Sequence, residues 1–331
     1  MDKQYRYMSE QVSHHPPISA CWAESPLWSY YGEVDAQNRF MGKSFEIRPT
    51  GVAHVELYPQ PGVNKAKEHY TWKKVTTNVS GFILGSPTID HYGDMVVTNH
   101  RTGDRCVLTF KPRGWRGKDA FEITGQVVDA RGNVAYDIAG RWNSQLVARP
   151  RGRANGTLHP DMLIHTSNGV DENGESDSSE PSAEPEFILL WRNSEKPPGA
   201  PFNLTPYAIT LNDCPRDTLR PYLAPTDCRL RPDQRAFELG KYELANSLKM
   251  MQEDKQRVVR KTREEGRVPP HQPRWFVAER DEDTGERVWR PIRVGEVLEY
   301  WVERERVFRD GGRWKDVEDI FIEEPESIKG W

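Results

Sequence analysis

Two histidines, His14 and His15, stand side by side and lead directly into Pro16 and Pro17, within the stretch EQVSHHPPISA at residues 10–20. An imidazole titrates near neutrality and can donate or accept at either ring nitrogen, so a pair suits an anion, a metal ion or general-base chemistry. In a regular strand, neighbouring side chains point to opposite faces and such a pair would be split. The prolines change that. They give no N–H to a β-ladder and push His15 toward extended or polyproline backbone, so the strand must end or twist here. The plain alternative is a solvent-exposed strand end, or two core histidines with satisfied hydrogen bonds. Metal binding needs a third ligand at matching spacing, and no HxxxH or HxE pattern lies nearby. Nucleophilic catalysis needs a pattern such as GxSxG, which does not occur. The pair therefore reads as no enzyme site and no metal site, and no cofactor is expected.

A second group lies far along the chain. Lys249, Glu253 and Arg257 fall at i, i+4 and i+8, a narrow charged stripe on a helix expected from about Lys241 to Glu265. Gly266, then Pro269 and Pro270, stop that helix. Leu244, Leu248, Met251 and Val258 form an apolar stripe nearly opposite. Alone, the charged stripe is a solvated face laced by ion pairs. It becomes a binding site if it borders a cavity with phosphate-binding groups on the other wall, where Arg offers a planar fork and Lys a mobile point charge. A third group, Asp227, Arg229, Arg231 and Asp233 around Pro232, reads as a brace of alternating charges that holds a loop before the helix.

The elements that must position these residues are mostly strands. From about residue 20 to 148 short apolar or alternating runs, such as HVELYP (54–59) and DRCVLTF (104–110), are separated by turn signals. Residues 120–142 read as a hairpin around Arg131-Gly132-Asn133, and RTGD at 101–104 as another turn. Sequential hairpins at this spacing predict an antiparallel meander that curls into a barrel or sandwich. Residues 168–186 are acidic and rich in Ser, Gly and Pro, and read as a disordered insertion. FILLW (187–191) resumes as a strand, prolines then mark an irregular crossing segment to 232, and a last hairpin turns at Asp283-Thr284-Gly285.

A net charge of −4 argues against nucleic acid in bulk, so any basic site must be local. No apolar run reaches membrane-span length, and four scattered cysteines without a CxxC pair fit reduced thiols in a cytoplasmic protein.

EQVSHHPPISA matches the fingerprint of the oxysterol-binding protein family without a gap. APTDCRLRPDQR resembles that family's segment before its late helix, and ANSLKMMQEDKQR (245–257) the helix that completes its head-group site. GKSFEI, HYGDMVVTN, FKPRGWRGKDAFEI and GRWNSQLVA are similar to its strands. The resemblance covers nearly the whole chain apart from the acidic insertion. It implies a single lipid-binding domain over 1–331: an incomplete antiparallel β-barrel, mainly β, with a long helix in the C-terminal half. It implies carriage of one sterol or phosphatidylserine molecule, exchanged for phosphatidylinositol 4-phosphate between apposed membranes that the protein visits peripherally. His14, His15 and Arg257 are then expected to hold the 4-phosphate, with Lys249 and Glu253 around the head group. In the family a lid, early strands and a further phosphate-binding lysine precede the fingerprint, which here begins at residue 10. The expectation is a truncated gene model, with an unpaired sheet edge and apolar wall open to water. The alternative is a phosphoinositide-binding module that does not transfer lipid.

Overall fold

The computed structural model describes residues 5–59, 66–114, 117, 119–152, 158–161, 187–199 and 204–329. The acidic stretch expected at 168–186 lies outside them. They group into two compact units: Met1–Ser9, Ile18–Ser194 and Arg280–Val288 form one, and Glu10–Pro17, Glu195–Glu279 and Trp289–Trp331 the other.

The first unit is built on one fourteen-stranded sheet. Its strands are β1 (Arg6–Ser13), β2 (Ile18–Ser25), β3 (Trp28–Val34), β4 (Ala36–Phe40), β5 (Ser44–Pro49), β6 (Val52–Leu57) and β7 (Glu68–Lys73). They continue with β8 (Thr76–Ser80), β9 (Thr88–Asn99), β10 (Arg105–Phe110), β11 (Glu122–Val128), β12 (Val134–Arg141), β13 (Gln145–Pro150) and β14 (Ile188–Arg192). The main path runs β1-β2-β3-β6-β7-β9-β10-β11-β12-β13-β14, with β4, β5 and β8 branching from β9. Among the described residues β1 and β14 end the path without pairing to each other, so the sheet is an incomplete barrel of the expected mainly β class.

Local chemistry sets the hairpins. Between β9 and β10 the Asn99 carboxamide oxygen accepts the amides of Arg101 and Thr102 at 2.9 and 3.3 Å. Between β11 and β12 one Asp129 carboxylate oxygen accepts the amides of Arg131 and Asn133 at 2.9 and 2.8 Å. Gly132 takes φ of 90° at that turn, a backbone other residues reach only with strain. Register then stacks rings across strands. Trp22 lies opposite Tyr31, and Tyr31 opposite His54. Their rings stack at 5.0 and 4.7 Å, and His54 stacks in turn on His69 at 5.3 Å. At the far edge Ile188, Leu189, Leu190 and Trp191 of β14 are all exposed.

The second unit is mainly helical: α1 (Pro206–Thr210), α2 (Pro232–Glu238), α3 (Tyr242–Glu264) and α4 (Glu299–Asp310). Strands β15 (Phe276–Arg280) and β16 (Arg287–Pro291) form the expected hairpin, whose tip belongs to the first unit. Before α2 the brace forms as two bidentate pairs. Arg229 bonds Asp227 at 2.9 and 2.7 Å, and Arg231 bonds Asp233 at 3.0 and 2.5 Å. Helix α3 buries a stripe that differs from the apolar one read from the sequence. Ala245, Leu248 and Gln252 are buried, with Ala236 and Ile328 packed into the same cluster, whereas Met251 and Val258 are 56% and 64% exposed. The cause is a polar residue satisfied inside. Gln252 donates to the Ile320 carbonyl and accepts the Ile322 amide, both at 2.9 Å, and Lys255 donates to the Phe321 carbonyl at 2.5 Å. Among the described residues no helix is long and apolar enough to cross a membrane.

Candidate functional site

The paired histidines sit where the prolines stop the first strand. β1 ends at Ser13 and residues 14–17 form a turn, with a cis His15–Pro16 peptide. The two rings lie together, their centroids 4.6 Å apart and tilted by 58°. Upstream, the Glu10 carboxylate accepts the backbone amides of Arg274 and Trp275 at 2.6 and 2.8 Å. Burial pushes the Glu10 carboxyl above its ordinary value, partly offset by those two amide bonds. The fingerprint thus carries its own anchor, four residues before the first histidine.

Helix α3 supplies the cations. The Arg260 guanidinium donates to His15 Nε2 at 3.1 Å, while its Nε faces Glu264 at 3.6 Å. His271, beyond the helix, lies 3.2 Å through Nε2 from the Gln11 carbonyl. His14 Nδ1 is 3.3 Å from the Gln11 carboxamide oxygen. Burial, and then the positive charges of His15, His271, Arg260 and Arg263, hold the His14 imidazole below its ordinary range. The Arg263 Nε is buried with no hydrogen-bond partner among the described residues.

Of the residues singled out from the sequence, the structure brings His14 and His15 together and sets Arg260 against His15. Lys249, Glu253 and Arg257 form a chain along α3, with Lys249–Glu253 at 4.0 Å and Arg257–Glu253 at 3.9 Å. All three side chains are about half exposed or more, and Arg257 also bonds Asp254 at 2.5 Å. A phosphate reaching Arg257 competes with those carboxylates. Arg260, Arg263 and His271 were missed by the sequence reading. Arg260 and Arg263 follow Arg257 at i+3 and i+6, so continuing the stripe at the i+3 spacing finds them. His271 lies past Pro269-Pro270, where no periodicity reaches.

The arrangement is a cationic, ring-lined cluster with N–H donors on both sides, suited to a small polyvalent anion. The family model for oxysterol-binding proteins matches residues 1–305. Oxysterol-binding protein homolog 2 of Saccharomyces cerevisiae is 41% identical over 320 residues, covering 97% of this chain and 23% of the relative. Human oxysterol-binding protein-related protein 1 is 35% identical over 289 residues, covering 83% of this chain and 30% of the relative. The chain therefore spans roughly a quarter to a third of these relatives. The crystal structure of the Osh1 ORD domain in complex with cholesterol superposes with a TM-score of 0.75 at 39% identity, covering 97% of this chain and 69% of that one. The Osh3 ORD in complex with PI(4)P, from Saccharomyces cerevisiae, shares the fold with a TM-score of 0.68 at 22% identity over 97% of this chain and 71% of that one.

Proposed function

The chain belongs to the oxysterol-binding protein family, and on that premise we propose that it binds membrane lipid, holding the 4-phosphate of phosphatidylinositol 4-phosphate at the histidine–α3 cluster. The observation that carries this reading is geometric: the His14 and His15 rings lie 4.6 Å apart, and the Arg260 guanidinium of α3 reaches His15 Nε2 at 3.1 Å, a local surplus of ring nitrogens and positive charge. A phosphate monoester near neutral pH carries close to two negative charges and three strong acceptor oxygens. It answers that surplus as no neutral ligand can. Arg257, Lys249 and Glu253 line the same helix for the rest of the head group.

The apolar cargo in this reading is a sterol, or phosphatidylserine. The cholesterol complex of the similar Osh1 domain supports it. A cavity of about 490 Å³ in the sheet unit does not add to that support, because Asp137, Arg149, Arg151 and Gln126 line it beside Val107, Ile138 and Leu158. The protein is then a lipid carrier rather than an enzyme. It exchanges cargo for phosphatidylinositol 4-phosphate at membrane contact sites, cytoplasmic and only transiently membrane-bound.

The exposed apolar strand β14 favours a second reading, a phosphoinositide-binding module that docks on membranes without carriage. Liposome flotation without transfer separates the two. The first is tested by extraction from liposomes containing phosphatidylinositol 4-phosphate or a fluorescent sterol. His14→Ala with His15→Ala should abolish phosphoinositide extraction and leave sterol extraction near wild type. Unchanged phosphoinositide extraction would overturn the assignment.

A further inference from the structure

A second histidine cluster lies inside the sheet unit, away from the phosphate cluster in sequence and chemistry. His54 on β6, His69 on β7 and Asp281 at the hairpin tip are all buried, and one ligand atom from each lies within 4.8 Å of the others. His54 Nδ1 faces His69 Nε2 at 3.0 Å and Asp281 Oδ2 at 3.9 Å. Two imidazole nitrogens that close share one proton or one cation.

The surroundings fix which atoms point inward. His69 Nδ1 lies 2.5 Å from the Asp283 carboxylate, so it carries the proton and turns the Nε2 lone pair toward His54. That is the carboxylate–imidazole pairing which orients metal-binding histidines and raises their basicity. The other Asp281 oxygen, Oδ1, is occupied. It accepts the amides of Asp283 and Thr284 at 3.2 and 3.0 Å and the Thr284 hydroxyl at 3.1 Å, leaving Oδ2 aimed at His54. The His54 ring is held flat between Tyr31 and His69, tilted only 12° and 9° from them.

We propose that His54 Nδ1, His69 Nε2 and Asp281 Oδ2 bind one divalent transition-metal ion of the zinc type, with Asp283 orienting His69. Metal–ligand bonds of ~2.0–2.1 Å put tetrahedral ligand atoms about 3.3 Å apart. Two of the observed separations, 3.0 and 3.9 Å, lie to either side of that value and all three ligand atoms fall within 4.8 Å of one another, so binding draws the Asp281 carboxylate inward. Two imidazoles and one carboxylate suit zinc over the oxygen-seeking calcium and magnesium. On binding, the ion takes the place of the proton on His54 Nδ1, and His54 ligates as the neutral tautomer with its one proton on Nε2. Three protein ligands leave the fourth position to water. The ion would tie the hairpin tip to β6 and β7.

The test strips the full chain with a chelator and titrates Zn²⁺ against a chromophoric competitor, then Co²⁺ by its visible absorption. One ion per chain is expected, and His14→Ala with His15→Ala should retain it. His54→Gln and Asp281→Asn should each weaken it at least about 100-fold, and Asp283→Asn about 10–100-fold. Absence of stoichiometric uptake, its loss in the His14/His15 variant, or its survival in His54→Gln and Asp281→Asn would overturn the proposal. Should those two variants fail to fold, Asp283→Asn decides, because its carboxylate is 48% exposed and its replacement is tolerable. Unchanged zinc affinity there also overturns it.

Discussion

Glu10 offers the sharpest test of how the fingerprint strand is anchored. Its half-buried carboxylate is the acceptor for two consecutive backbone amides, Arg274 at 2.6 Å and Trp275 at 2.8 Å. Glu10→Gln keeps the shape and removes the charge, but its amide presents one oxygen and one NH₂ to two N–H groups. One donor is then left facing another, a cost of about 1–3 kcal/mol for a buried unsatisfied group. Loss of the burial penalty on the charge offsets part of that, so about 1–2 kcal/mol remains. Glu10→Ala leaves both amides unmatched and should cost about 2–4 kcal/mol. With two compact units a single unfolding free energy is poorly defined, so the readout should be local. Hydrogen exchange at the Arg274 and Trp275 amides should speed up about 10-fold in Glu10→Gln and 30-fold or more in Glu10→Ala. The pH dependence has a fixed sign. A carboxyl raised on folding makes the folded chain take up its proton first, so acidification from that raised value toward the ordinary 4.5 favours the folded state. Glu10→Gln should flatten that part of the profile. Unchanged exchange at both amides in Glu10→Ala would refute the clamp.

Two further outcomes follow from the same contacts. His14 is held below its ordinary range in the free protein, and a phosphate dianion would raise it, so binding takes up a proton. Affinity for vesicles containing phosphatidylinositol 4-phosphate should fall by up to about tenfold per unit as pH rises from ~6.5 to 8, and His14→Gln should be flatter; an equal slope in both excludes His14 as the titrating group. Gln252→Ala removes two buried backbone bonds that seat α3 on residues 320–322 and should speed hydrogen exchange at the Ile322 amide about 30-fold or more; unchanged exchange there would show that segment to be loosely held.

Much of the fold was legible because hairpin chemistry is local. Asn99 and Asp129 sit in their turns with side chains on the amides that follow, and Gly132 supplies the positive φ. The boundaries of α3 were legible for the same reason, from Gly266 and the proline pair. Its buried face was not, since Gln252 lies in the core through carbonyl and amide partners nearly seventy residues away, which no hydropathy pattern registers. The site divides the same way. A proline-stopped histidine pair is visible as text, and the structure gives the stop at Ser13 and the close rings. Which guanidinium meets them depends on helix rotation, and Arg260, one turn beyond Arg257, is the one at His15. The His54–His69–Asp281 cluster was invisible because its members come together only through strand register and a hairpin more than two hundred residues later.

The central claim is that one phosphate is gripped jointly by the two imidazoles and by the helix. Its most direct measurement is ¹⁵N NMR of histidine-labelled protein titrated with the water-soluble head group, inositol 1-(glycerophosphate) 4-phosphate. His14 and His15 ring nitrogens should shift together, saturate at one head group per chain, and lose that response in Arg260→Ala. Independent titration of the two rings, or an undiminished response in Arg260→Ala, would contradict the account.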